Sequence, residues 1–256
     1  MLFAGWARRA SLTDMCGRFA ASAGTDSYVE IFGIEEVVDA AQPSFNLAPT
    51  DPIPAVVERP DADSGVGARK LVAPRWGLVP SWSKDASEAA RLINARFETL
   101  AAKPAFRTAL ARRRCLIPAD GYFEWSAAEP GTGLGRGASA GRVSRSGKQA
   151  FFIRPADGGL FVMAGLYEFW KRPTGEWLTT ATIITTTATD ALGHIHDRMP
   201  MVVAPGGWAS WLDPHLTETD AAASLLSVDG SLTAYPVSPL VGNVANDGPE
   251  LIEPLA

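Results

Sequence analysis

The chain has 256 residues, 46% apolar content and a formal net charge of -5 with a pI near 5.3. That length suits one large domain or two small ones with a substantial core, and the acidic balance excludes a protein that coats nucleic acid through a global basic field, so any such role rests on a local patch. Two cysteines, Cys16 and Cys115, and three histidines give neither a disulfide framework nor metal-ligand spacing, so the expectation is reduced thiols, no metal and no cofactor.

Neither a run of about eighteen apolar residues nor a secretory signal pattern is found, so the expected setting is the cytoplasm without a membrane partner. Residues 1–14 show weak periodicity and read as a leader or as a start assigned too far upstream, with Met15 as the alternative start. Ser27 to Gly33 predicts a short helix closed by glycine. Prolines punctuate Pro43 to Thr50, after which Ile53 to Glu58 and Lys70 to Val79 predict strands, the second leading into the aromatic loop Trp76-Gly77-Leu78-Val79-Pro80-Ser81-Trp82. Ile93 to Thr99 is extended and polar, and a helical stretch follows that Pro104 interrupts or restarts near its first turn.

Residues 114–125 predict two strands meeting at Asp120-Gly121. Residues 126–149 are rich in Gly, Ala, Ser and Arg and predict a flexible surface loop within a hairpin. Strands resume at Ala150 to Arg154, Leu160 to Trp170 and Trp177 to Thr187, with a helical turn at Asp190 to Ile195. His194 to Val203 forms a polar corner entering an apolar strand; helices follow at Trp208 to Leu212 and Thr217 to Leu226, and a late strand at Leu232 to Val237. Short strands with few helices and no βα alternation predict a single α+β domain whose mixed, curved or barrel-like β-sheet core is flanked by short helices.

An internal Cys16 reads as a small buried hydrophobe. At a chain terminus it carries a thiol and an α-amine on one carbon, with pKa values of about 8.5 and about 7.7–8.0, so a fraction of each is nucleophilic at neutral pH. The amine forms an imine with an aldehyde, and the thiol closes on the same carbon to give a thiazolidine. Glu124, between Phe123 and Trp125, suits a carboxyl whose proton affinity is raised by desolvation, the alternative being a solvent-facing strand residue. His196 is the histidine best placed to move a proton, with Asp197 or a carbonyl setting its tautomer; a structural histidine is the plain alternative. Asn94 and Arg96 alternate onto one side of an extended segment, where arginine suits a forked phosphate contact. Phe45, Trp76 and Trp82 offer stacking faces for bases, or are core. Arg18, Arg75, Arg107, Arg112, Arg113, Arg114 and Arg198 complete a candidate basic patch, each read alone as a solvated surface charge.

Met15 to Phe19, Asn46 with Ala48-Pro49, Trp76-Gly77 with Pro80 and Trp82, Asn94-Ala95-Arg96 with Glu98-Thr99, Ala119-Asp120-Gly121 with Phe123-Glu124-Trp125, His196-Asp197-Arg198 with Pro200, and Pro236-Val237-Ser238 with Val241-Gly242-Asn243 occur in one order. Together they resemble the SOS-response-associated peptidase (SRAP) family of abasic-site shielding proteins, over nearly everything from Met15 onward. The resemblance implies that Cys16, exposed by removal of what precedes it, crosslinks to the ring-opened aldehyde of an abasic site in single-stranded DNA. It implies further that Glu124 assists imine chemistry and crosslink reversal, that His196 helps open the sugar ring, and that Asn94 holds the abasic sugar. By the same resemblance Arg18 and Arg96 contact phosphates, Pro49 and Trp82 lie near the DNA junction, and Asn46, Arg75 and Arg198 complete the DNA-binding set of a monomer. Here fourteen residues precede Met15, and an uncleaved leader turns the amine into an amide. Two other readings stand beside this one: a Cys/His/Glu peptidase acting on other peptides, and a noncatalytic single-strand binding module using Trp82 and the arginines.

Overall fold

The computed structural model describes residues 17–60, 67–87, 89–127, 147–188, 193 and 195–255. The leader, Cys16, the middle of the 126–149 insertion and most of the expected helical turn at Asp190 to Ile195 lie outside them. In chain order, β1 (Phe19–Ala21) precedes α1 (Thr25–Phe32), which ends at Gly33 in the left-handed region with φ 61, as the glycine predicted. Then come β2 (Glu36–Val37), β3 (Ser44–Leu47), β4 (Ala55–Pro60), β5 (Gly67–Val72), β6 (Arg75–Trp76) and β7 (Asn94–Arg96). Helix α2 (Pro104–Arg112) starts on its proline, where the missing N–H has no intrahelical partner to lose. Strands β8 (Arg114–Ala119), β9 (Gly121–Ala127), β10 (Lys148–Pro155), β11 (Phe161–Lys171) and β12 (Trp177–Thr187) form the centre of the molecule. The chain closes with β13 (Arg198–Pro200), β14 (Val202–Val203), α3 (Trp208–Leu212), α4 (Thr219–Ala223), β15 (Leu226–Ser227) and β16 (Leu232–Pro236).

These strands make two sheets of the mixed α+β class read from the sequence. One has the order β16-β10-β9-β1-β3; the other follows β13-β12-β11-β8-β4-β5-β2, with β6 and β7 parallel to β12. Alternation along the strands explains the layers. On β8, Cys115, Ile117 and Ala119 face the smaller sheet and meet Phe19, Leu47, Tyr122 and Ile153, while Leu116 points the other way into a cluster with Phe106, Leu110 and Trp211 of the helices. The outer face of the smaller sheet is covered by the C-terminal segment through Val237, Val241 and Leu251.

Three expectations change in detail. The strands β8 and β9 abut at Asp120-Gly121 without pairing: β8 is enclosed between β4 and β11, so the chain crosses to the smaller sheet, where β9 pairs with β1 and β10. A Cβ on Gly121 would stand 2.4 Å from the Ile153 carbonyl, so the crossing requires glycine. The hairpin around the insertion does form, with Ala127 opposite Lys148, but its strands reach inward to include Ser126 and Gln149. The last helix is shorter than its periodicity suggested because Leu226 leaves it to pair with Val203.

Candidate functional site

Strand β9 carries Glu124 into the interior, where it is 4% exposed and sits opposite Phe151 of β10. On the other side of β9 runs the start of the described chain: the Phe123 N–H donates to the Arg18 carbonyl at 2.9 Å, and Phe19 pairs with Tyr122. The residues that follow Cys16 are therefore bonded to the backbone immediately before Glu124. Cys115 is fully buried, and burial pushes its thiol above the ordinary range against the opposing charge of Arg59, so it stays a structural thiol.

His196 enters β13 with its side chain 15% exposed, and its Nδ1 lies 3.9 Å from Glu124 Oε1 and 3.4 Å from Asp197 Oδ1. The same Nδ1 accepts the Arg198 backbone N–H at 3.1 Å. An acceptor nitrogen carries no proton, so the neutral ring holds its proton on Nε2. Glu124 lies on a strand of the smaller sheet and His196 leads into a strand of the larger one, so the pair forms where the two sheets meet.

Asn94 is 4% exposed on β7, opposite Ile183 of β12, and Arg96, two residues on, is exposed. The strand is held from behind by Trp76, whose indole N–H donates to the Ile93 carbonyl at 2.9 Å and whose ring packs edge-on against Phe19 at 5.1 Å. Trp76 is thus core and ties the strand after Cys16 to the strand of Asn94. Of the three aromatics offered as stacking faces, Trp82 is open, at 68% exposure, while Phe45 packs on the cluster under the C-terminal segment.

Several expected contact residues have internal partners. Arg198 is 9% exposed and forks onto Glu98, with Nη1 donating to Oε1 at 2.8 Å and Nη2 to Oε2 at 3.0 Å, and Nη2 also reaches the Thr185 carbonyl at 2.7 Å. That guanidinium is held against the fold by Glu98 and the Thr185 carbonyl. Asn46 is 3% exposed; its Nδ2 donates to the carbonyls of Asn243 and Asn246 at 3.0 and 2.8 Å, and its Oδ1 accepts from Arg18 Nη1 at 2.9 Å. It stands behind the surface as the holder of Arg18. Burial draws the Arg18 guanidinium below its ordinary value while Asp51 opposes the shift. Pro49 is half-buried beside Thr50, whose φ of 82 is unusual for a non-glycine residue. Arg75 pairs with Thr180 and lines a cavity with Arg59 and Trp177; five residues of β12 separate Thr180 from Thr185, roughly 17 Å at strand spacing, so Arg75 lies apart from the Glu124 and His196 pair. Arg113 pairs with Glu168, and Arg114, 3% exposed, donates to the Trp211, Leu110 and Asp213 carbonyls, so neither is a free surface charge.

A family model described as "SOS response associated peptidase (SRAP)" matches residues 15–244. The chain belongs to the SRAP family. An abasic site processing protein of Bacillus subtilis, YoqW, is 38% identical to this SRAP chain over 243 residues, spanning 93% of this chain and 99% of its own. The rat abasic site processing protein HMCES is 32% identical over 237 residues, which cover 83% of this chain and 65% of that one. A crystal structure of a Bacteroides thetaiotaomicron protein superposes with a TM-score of 0.74 at 26% identity, covering 94% of this chain and all of the other. Among the described residues of this SRAP protein no helix is long and apolar enough to cross a membrane.

Of the two residues that frame the site, Trp76 takes the core place that was one of its two readings, and Glu98 had been given no role of its own. Glu98 was visible only as part of a motif, because its partner stands a hundred residues later.

Proposed function

We propose that the protein recognises abasic sites in single-stranded DNA and caps them covalently through Cys16 once that residue is the chain terminus. The observation that carries the reading is the buried Glu124 carboxyl 3.9 Å from His196 Nδ1, on a strand hydrogen-bonded to the residues that follow Cys16. The names of the Bacillus and rat relatives support the same substrate.

The chemistry balances without an added reagent. A proton passed from Glu124 to His196 Nδ1, as that nitrogen gives up its hydrogen bond from the Arg198 N–H to receive it, lets Nε2 release its own to the sugar ring oxygen as the bond between that oxygen and C1′ breaks; the C1′ hydroxyl gives its proton to water, leaving an aldehyde. The Cys16 amine adds to that carbon and gives up a proton, the resulting hydroxyl takes a proton and leaves as water, and the Cys16 sulfur adds to the imine carbon as the thiol proton passes to the nitrogen, closing the thiazolidine. Asn94 orients the sugar, while Arg18 and Arg96 hold phosphates and Trp82 stacks on a base. Glu124 and His196 also serve hydrolysis of the bond between Met15 and Cys16.

Protein whose intact mass begins at Cys16, incubated with abasic single-stranded DNA, gives a heat-stable shifted band. Cys16→Ala and N-acetylated Cys16 give none. An undiminished band from either variant refutes the mechanism. Binding that survives Cys16→Ala without preference for abasic sites returns the single-strand binding module instead, and turnover of a general peptide returns the peptidase.

A further inference from the structure

The larger sheet bends back on itself. Strands β4, β8, β11, β12 and β6 are neighbours in turn, and a bridge between Pro52 and Arg75 returns β6 to the segment entering β4. Ala55 and Val57 of β4 face the interior of this ring with Cys115, Met163 and Ala181, and strand alternation places Arg59 next on the same face. Its Cζ stands 4.6 Å from the centre of the Phe169 ring and 5.1 Å from that of Tyr167. The Nε and Nη2 atoms of Arg59 are buried without a hydrogen-bond partner.

Arg59 lines a cavity of about 440 Å³ at this mouth of the ring, together with Arg75, Thr50, Thr179, Asp39 and Trp177. That size falls in the range of small-molecule sites, which favour the mouths of barrels. The lining carries two guanidiniums against one carboxylate, and neither arginine makes an ion pair among the described residues. A partly buried cation without a counter-ion favours an incoming anion. Trp177 is 67% exposed, with Lys171 Nζ 5.8 Å from its ring centre, so a large planar surface stands at the rim beside the positive charge. Below Arg59 the ring is filled by Val57, Cys115 and Tyr167. A phosphate held there is covered from beneath, and so it is the end of its ligand rather than a link in a strand passing through.

We propose that this mouth is a second ligand site, which takes a free ribonucleoside monophosphate. The phosphate sits between Arg59 and Arg75 with the Thr50 and Thr179 hydroxyls as further donors, the ribose hydroxyls bond Asp39, and the base stacks on Trp177. Thr179 and Thr187 stand near opposite ends of β12, roughly 26 Å apart at strand spacing, and Thr187 pairs with Arg198 beside His196. The site is therefore separate from the chemistry at Cys16 and stands or falls independently of it.

The test titrates adenosine 5′-monophosphate into the whole chain by calorimetry, beside adenosine, inorganic phosphate and intact single-stranded DNA. The monophosphate binds, adenosine and inorganic phosphate bind at least roughly tenfold more weakly, and saturating DNA leaves the monophosphate affinity unchanged. Trp177→Ala and Arg75→Gln each weaken the monophosphate roughly tenfold. Trp177→Ala, at an exposed position, keeps the wild-type melting temperature and crosslinking rate, which shows that the loss is local. No binding at millimolar monophosphate overturns the proposal, as does inorganic phosphate binding equally well or an affinity unmoved by both substitutions. Displacement of the monophosphate by DNA also overturns it, and would make the cavity part of the DNA path.

Discussion

The indole N–H of Trp76 donates to the Ile93 carbonyl at 2.9 Å, so the residue before Asn94 is fastened to a ring with no solvent exposure. Trp76→Phe keeps most of the buried ring but removes one of the two donors on that carbonyl, leaving it the Ile183 N–H at 3.0 Å. We expect a loss of about 1 kcal/mol in urea denaturation, together with slower crosslinking as Asn94 loses part of its support. A stability within about 0.5 kcal/mol of wild type would show that the tie is dispensable.

Glu124→Gln retains shape and hydrogen bonding but cannot exchange a proton, whereas His196→Ala removes the relay nitrogen. Each is expected to slow crosslinking or its reversal by roughly 10²-fold, the scale of one general acid–base group, with affinity for intact DNA little changed. Single-turnover gel assays separate the two quantities. Rates equal to wild type would remove these residues from the chemistry.

The hydrogen bonds from Arg198 hold the Glu98 carboxyl down at about 2, below its ordinary 4.5. A depressed carboxylate stabilises the fold above its unfolded value, and the contribution fades as pH falls through the folded one. With 42% of its side chain exposed, Glu98 contributes about 1 kcal/mol after solvent screening. Glu98→Gln should therefore melt roughly 2–4 °C below wild type at pH 5 to 7. The gap should close between about pH 4.5 and pH 2. A gap independent of pH in calorimetry would mean that charge is not the source.

Asn46→Ala removes the Nδ2 donor from the carbonyls of Asn243 and Asn246, the first of which keeps the Asn246 N–H at 3.1 Å, and frees Arg18 Nη1 on one side. Faster hydrogen exchange is expected across residues 240–247 together with weaker DNA binding, and about 2 kcal/mol of lost stability. Unchanged exchange there would mean that the tail is held by its own apolar contacts at Val237 and Val241.

The sequence by itself determined the strand-rich α+β class, most strand positions and the polar residues worth watching. A near-continuous apolar run, buried on both faces, marks β11, and glycine and proline mark α1 and α2 locally, because these preferences act over a few residues. The opening pentapeptide and the His196 corner could be singled out for the same reason, as unusual chemistry at short range. What only tertiary structure decided is which polar side chains face which. Arg198 and Asn46 read as surface contacts until distant Glu98 and the C-terminal carbonyls took them inside. Trp76 and Trp82 look alike in one loop, yet one is sealed in the core and the other is 68% exposed. Burial, ion pairing and the crossing at Gly121 depend on chain segments far apart in sequence, and the residues on either side of each contact carry no local mark of the partner they will meet.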